Sequence, residues 1–140
     1  MAKTQPFSIR LTPATAGLVA EEVRRSGRSR GAVVEELAEE AAKARLFPGI
    51  AFRGPAPRRA WVIGTGLDVW EIIAMQRDYG NDRAKLLRNH PALSDRALST
   101  ALAYTSRFPD EVEPLIQAAR RSPEELRELY PFIAFEGTGE

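Results

Sequence analysis

Apolar and polar residues alternate along Pro6 to Leu11, with Phe7, Ile9 and Leu11 set against Pro6, Ser8 and Arg10. A period of two is that of a strand with one covered face and one open face. So short a strand does not stand alone in water, and the pattern over the next ~30 residues changes to helices without a second strand. The simplest partner is the same strand from a second copy of the chain. Together they would form a two-stranded antiparallel ribbon across a two-fold axis, narrow enough to enter a DNA major groove.

Thr12 followed by Pro13 predicts a helix start, because proline at the first helical position loses no hydrogen bond and its φ is already set. Leu18, Val19 and Val23 form the apolar stripe of that helix, which Ser26 and Gly27 close. Ser29 caps a second helix, with Val33, Leu37 and Ala41 inward and Glu35, Glu36, Glu39 and Glu40 outward. From Leu46 to Arg59 the prolines and glycines mark a boundary, and Ile50 to Arg53 can pair with Ala60 to Ile63 as a hairpin. Asp68 and Glu71 match a capping box for a helix running to Tyr79 and closing at Gly80. A short helix from Asp82 to Asn89 stops before Pro91, and Ser94 caps a third helix reaching Arg107. Pro114 predicts a kink or a late start in a helix over Pro109 to Arg121, and Ser122 with Glu125 starts one more short helix.

Composition narrows the chemistry. The 140 residues are 44% hydrophobic and 28% charged, which suits a globular fold of mainly α class. With no cysteine there is no disulfide framework and no thiolate metal site. The N-terminal stretch has no signal-peptide pattern and no apolar run is long enough for a bilayer, so a soluble, cytoplasmic protein without a membrane partner is expected. The net charge of +1 hides an asymmetry: residues 1–45 carry 8 basic and 6 acidic groups, residues 46–107 carry 9 and 5, and residues 108–140 carry 3 and 8. A basic body ahead of an acidic tail suits binding to a polyanion and, through the tail, to a basic partner; uneven solvated surface is the plainer alternative.

The order strand, helix, tight turn, helix over about residues 5 to 44 resembles the ribbon-helix-helix DNA-binding family. That resemblance implies that the paired strands of a dimer read base edges and that the start of the second helix grips a backbone phosphate. Ser8 and Arg10 are then the base-contacting residues, Arg10 by bidentate hydrogen bonds to guanine, while Pro6 is a poor match for a reader. Phosphate contacts fall to Gly27, Arg28 and Ser29, with Arg24, Arg25 and Arg30 nearby; a solvated interhelical turn is the alternative for this arginine run.

The three short helices after residue 67 make a helix-turn-helix plausible, with Ser94 to Arg107 in the recognition position and Arg96, Ser99, Thr100, Ala103 and Arg107 facing outward as a second DNA or partner face. Four further motifs occur in order: Phe47-Pro48-Gly49-Ile50, Arg59-Ala60-Trp61-Val62-Ile63-Gly64-Thr65, Leu67-Asp68-Val69-Trp70-Glu71-Ile72 and Ala101-Leu102-Ala103-Tyr104. They resemble a small bacterial antitoxin-like domain family that often accompanies PIN-type ribonuclease toxins. The two resemblances together imply an antitoxin of the VapB kind, organised as a ribbon-helix-helix dimerisation arm (1–45), a helix-turn-helix-like domain with a hairpin (46–108) and an acidic helical tail (109–140). In the tail, Leu126, Tyr130, Phe132 and Phe135 are the toxin-binding candidates. As plain packing, Trp61, Trp70, Tyr104 and Phe108 are core or interface aromatics rather than base-stacking platforms.

Catalysis finds no support in the sequence. The one histidine, His90, precedes Pro91 at a helix end, and no HExxH, GxSxG or P-loop spacing occurs, so no catalytic residue, metal or cofactor is expected. The Gly64-Thr65-Gly66 triplet reads as a turn. Three functions remain: a DNA-binding repressor antitoxin acting as a homodimer or higher even oligomer, a transcription regulator without a toxin, and a protein-binding adaptor.

Overall fold

In a computed structural model that describes residues 4–129 and 131–132, the chain divides into two compact units between Leu46 and Phe47. Among the described residues it is mainly helical, with one two-stranded antiparallel sheet.

The first unit holds an extended arm and two helices, α1 (Pro13–Ser26) and α2 (Arg30–Leu46). Thr12 caps α1 as its sequence predicts, accepting the Thr15 N–H on its hydroxyl at 3.3 Å. Gly27 ends the helix at φ 68, a left-handed conformation that residues with a Cβ rarely adopt. The Ser29 hydroxyl receives the Ala32 N–H at 3.2 Å and so starts α2. Val19 of α1 and Val33 of α2 are buried, and the two helices pack together. The rest of the expected inner face of α2 is corrected. Leu37 and Ala41 are exposed, whereas Val33, Glu36, Glu40 and Lys43 form the more covered line. Glu36 tolerates this position because it pairs with Arg28, and Lys43 because its ammonium reaches Glu39 at 2.6 Å.

The second unit is built on a hairpin of β1 (Ile50–Arg53) and β2 (Arg59–Val62), in register Ile50 with Val62 and Arg53 with Arg59. Ile50 and Val62 turn into a core shared with α3 (Val69–Asp78), α4 (Arg83–Asn89), α5 (Asp95–Arg107) and α6 (Pro109–Ala119). Ile72, Leu86, Leu98, Ala101, Tyr104 and Ile116 are fully buried there. The Tyr104 ring lies 5.5 Å from Phe47 and 4.8 Å from Phe108, and its hydroxyl donates to Glu111 at 2.6 Å. Ser94 and Asp82 cap α5 and α4 with their side chains, and the Gly64-Thr65-Gly66 triplet closes a turn in which the Thr65 hydroxyl donates to the Val62 carbonyl at 2.7 Å.

Helix α6 does not start late. It runs unbroken from Pro109 to Ala119 with Pro114 inside it. Proline there removes one hydrogen bond, toward the Asp110 carbonyl, and both residues are exposed so that water can serve that carbonyl. Val112 and Ile116 anchor the helix on either side of the proline, and α6 packs on α3 and α5. The packed body therefore extends past residue 108 into the stretch expected to be tail. Beyond it, α7 (Pro123–Leu129) begins where the Ser122 hydroxyl accepts the Glu125 N–H at 3.2 Å. No described helix is long and apolar enough to cross a membrane.

Candidate nucleic-acid interface

Residues 4–12 precede α1 without regular structure of their own and pair with no strand among the described residues. Ser8 and Arg10 are exposed, as base-contacting residues must be. Their apolar neighbours are exposed as well: Phe7 is 84% and Ile9 67% accessible. Leu18 of α1 at 66% and Leu37 of α2 at 42% are likewise open. Among its described residues the first unit thus carries five large apolar side chains without cover, two on the arm, one on α1 and, with Leu46 at 67%, two on α2. Isolated exposed apolar residues are ordinary; five in one small unit are a larger apolar surface than isolated exposure accounts for.

The arginine turn is divided by its own ion pairs. Arg28 Nη1 lies 2.6 Å from Glu36, and its backbone N–H reaches the Ser26 hydroxyl at 3.3 Å. Arg25 pairs with Glu22 through two hydrogen bonds at 2.8 and 2.5 Å, which hold its charged form and raise its pKa further. Arg24 and Arg30 are exposed beside them. The Ser29 oxygen accepts the Ala32 N–H and keeps its own O–H as a donor, so an anion bound at this helix start can meet that hydroxyl beside backbone N–H groups and arginines. Gly31, in the first turn of α2, has open space where a side chain would stand, which leaves room for an approaching phosphate.

The outward face foreseen on α5 is only partly available. Arg96, Ala103 and Arg107 are exposed, but Ser99 accepts a hydrogen bond from Arg83, and Arg83 also holds Asp95 at 2.7 Å. Thr100 turns instead toward the β1 approach, its methyl 3.8 Å from where a Cβ on Gly49 would stand. Arg107 lies over the Phe108 ring at 5.8 Å. The face is therefore a poor base reader, with Ala103 apolar, Thr100 turned away and the Ser99 oxygen already accepting from Arg83. Of the tail candidates, Leu126 is half-buried and Phe132 is 83% exposed, while Tyr130 and Phe135 lie outside the described residues.

The most ordered polar cluster in the second unit went unread in the sequence. Asp68, 3% exposed, accepts from Arg53 Nε at 2.8 Å, Arg59 Nε at 2.8 Å and the Trp70 indole at 3.2 Å. Burial is the largest single influence on its pKa and opposes ionisation, but the hydrogen bonds and charges of Arg59 and Arg53 together outweigh it and hold the carboxyl below its usual range. The Arg53 guanidinium also covers the Trp61 ring at 4.9 Å. The capping box read from Asp68 and Glu71 is present, with Glu71 accepting the Asp68 N–H at 3.0 Å, and the Asp68 carboxylate serves the two arginines as well. A signal was present in the hairpin, since Arg53 and Arg59 stand opposite each other and two like charges in register call for an anion between them.

Among the described residues no group of His, Asp or Glu is arranged to hold a metal ion. His90 Nε2 is hydrogen-bonded to the Tyr79 hydroxyl at 3.2 Å, with the two rings edge-on at 5.7 Å. No protein-family model, curated protein or solved structure matches the chain.

Proposed function

We propose that the chain is the antitoxin of a type II toxin-antitoxin pair, a dimeric repressor whose first unit is a ribbon-helix-helix reader of operator DNA and whose second unit and acidic end neutralise a PIN-type ribonuclease. The observation that carries this reading is the uncovered arm. Phe7 and Ile9 alternate with Ser8 and Arg10 on a segment without a strand partner, ahead of two helices that leave Leu18 and Leu37 open. Pairing two arms antiparallel covers the apolar side of both and turns Ser8 and Arg10 toward base edges. The start of α2, with Arg28 beside it, then receives a phosphate, and Arg28 exchanges Glu36 for that stronger anion.

Helices α3 to α5 are read as a helix-turn-helix-like body used for protein contact, because Arg83 ties up Ser99 and Asp95 on the face that would read DNA. The acidic stretch after residue 108 fits a toxin whose active site binds RNA, since it presents like charge to a surface built for polyanions.

Binding to the DNA upstream of the coding region tests the first half. Arg10→Ala is expected to weaken binding and relax base preference, whereas Arg28→Ala weakens every sequence alike and lowers the salt slope by about one. Equal affinity of wild type and Arg10→Ala overturns the ribbon assignment. Co-expression with the adjacent reading frame tests the second half. A neighbour that neither co-purifies nor harms cells when expressed alone removes the toxin and leaves a stand-alone regulator.

A further inference from the structure

The arginines at the turn between α1 and α2 face two carboxylates of their own chain. Glu22 lies on α1 and Glu36 on α2, and both are largely covered, with side chains 24% and 20% exposed. Glu22 holds Arg25 through two hydrogen bonds, and Glu36 holds Arg28 at 2.6 Å from the far side of the turn. The charge of Glu36 also acts on Arg25, less strongly than that of Glu22. Arg24 and Arg30 are exposed and make no ion pair among the described residues. The turn is therefore partly neutralised from within, with Arg25 and Arg28 already holding an anion while Arg24 and Arg30 face solvent.

Glu36 is the unexpected member of this group. It follows the buried Val33 on the same face of α2, where an apolar residue would pack as well. A partly exposed ion pair contributes little to stability, so stability alone is a weak reason for a carboxylate there. Its position has another effect. The guanidinium it occupies stands beside the start of α2, where backbone N–H groups favour an anion. Being part of the same chain, Glu36 holds that guanidinium at a high local concentration that dilution does not lower.

We propose that Glu36 is a built-in competitor of the phosphate contact, which holds Arg28 in the free chain and is displaced only when nucleic acid takes its place. The inference rests on the reading of the first unit as a DNA reader. A phosphodiester in a duplex wins the exchange because Arg24, Arg30 and the backbone N–H groups of α2 hold it while Arg28 changes partner; a lone anion in solution has no such support. The gain from each Arg28 contact is reduced by the strength of the pair it breaks. Glu36 thus limits affinity for every sequence alike and leaves base preference to Ser8 and Arg10.

Binding of the full chain to the upstream DNA over a range of salt tests this through Glu36→Gln, which keeps the side-chain length and gives up the charge. Freeing a guanidinium from a partly exposed pair is worth about threefold in equilibrium constant, so a dimer with two such turns is expected to bind about tenfold tighter. Glu36→Ala frees Arg28 in a second way and is expected to show the same gain. The slope of log affinity against log salt is expected to stay as in the wild type, because the released counterions come from the DNA and a single carboxylate condenses none. Glu21→Gln removes the same charge from an exposed residue of α1 and is expected to change affinity by less than about twofold. In an Arg28→Ala background the gain from Glu36→Gln is expected to vanish, which a general loss of negative charge would not cause. Affinity of Glu36→Gln equal to or below that of the wild type overturns the proposal, and is what a carboxylate that only fixes the turn would give. An undiminished gain in the Arg28→Ala background overturns it too. A wild type that does not bind DNA, or binds as well without Arg28, removes the phosphate contact and this proposal together. A wild type that needs Arg28, beside a Glu36→Gln that gains nothing, removes this proposal alone.

Discussion

Phe7→Ala tests the premise on which DNA reading rests, that the arm is completed by a second copy. In the single chain Phe7 is 84% exposed, so almost all of its side chain remains to be covered. Full burial of a phenylalanine is worth about 2 kcal/mol, and alanine keeps a small part of it, which leaves a loss of about 1.5 kcal/mol per protomer. Both arms lose it together, so a dimer is weakened by about 3 kcal/mol, which is about a hundredfold in dissociation constant. Sedimentation equilibrium over a wide concentration range measures that constant directly. Ile63→Ala is the matched control, because Ile63 is 59% exposed but belongs to the second unit. Helix content and melting of the dilute, monomeric variant are expected to match the wild type, since Phe7 is exposed there. A dissociation constant that moves by less than about threefold, or an equal effect of Ile63→Ala, refutes the reasoning, because the gain assumed for burying Phe7 would then be absent.

Asp68→Asn leaves Arg53 and Arg59 facing each other without an anion. Losing one partner of a buried ion pair costs about 3–5 kcal/mol, reduced here to about 2 kcal/mol because water screens the exposed arginines. The melting temperature should fall by about 10 °C by calorimetry, and no change sinks the assignment of Asp68 as the hub. The folded-state pKa of Asp68 is lowered, so its contribution is complete above the ordinary aspartate range and is lost as pH falls through the lower folded value. Denaturant titrations carried into acid should therefore show a steeper loss for wild type than for Asp68→Asn. Gly54→Ala meets both a φ of +87 and the Arg59 guanidinium, so about 1–2 kcal/mol of destabilisation is expected from urea unfolding. Tyr104→Phe removes the hydrogen bond to Glu111 from a fully buried ring; Glu111 stays solvated, so a loss of about 1 kcal/mol is expected in the same assay.

Helix starts were the most legible features, because a cap is a local interaction that two or three neighbouring residues settle. Thr12, Ser29, Ser94 and Ser122 each accept the N–H three residues on, as their positions in the sequence imply. The hairpin was legible to within one residue from its flanking turns. What the sequence obscured were preferences settled at a distance. The apolar stripe assigned to α2 treated Leu37 and Ala41 as inward, but one helix alone cannot cover them, and Glu36 turned inward because Arg28, eight residues before it, supplies a counter-charge. Pro114 was read through its missing hydrogen bond, while the anchoring of Val112 and Ile116 against the core decided the outcome. Asp68 was assigned to the one local task its spacing suggested; its main partners lie nine and fifteen residues away. At the candidate interface the exposure of Ser8 and Arg10 followed from the alternation, whereas the engagement of Ser99 by Arg83 depended on how α4 meets α5.

The arrangement around Asp68 also constrains the order in which a lineage can change these residues. Replacing Asp68 first strands two facing cations, so that step is strongly disfavoured, whereas replacing Arg59 first leaves the carboxylate still held by Arg53 and Trp70. The same pair of substitutions is thus tolerated along one path and blocked along the other. Divergent copies of this hairpin should accordingly lose an arginine before they lose the aspartate.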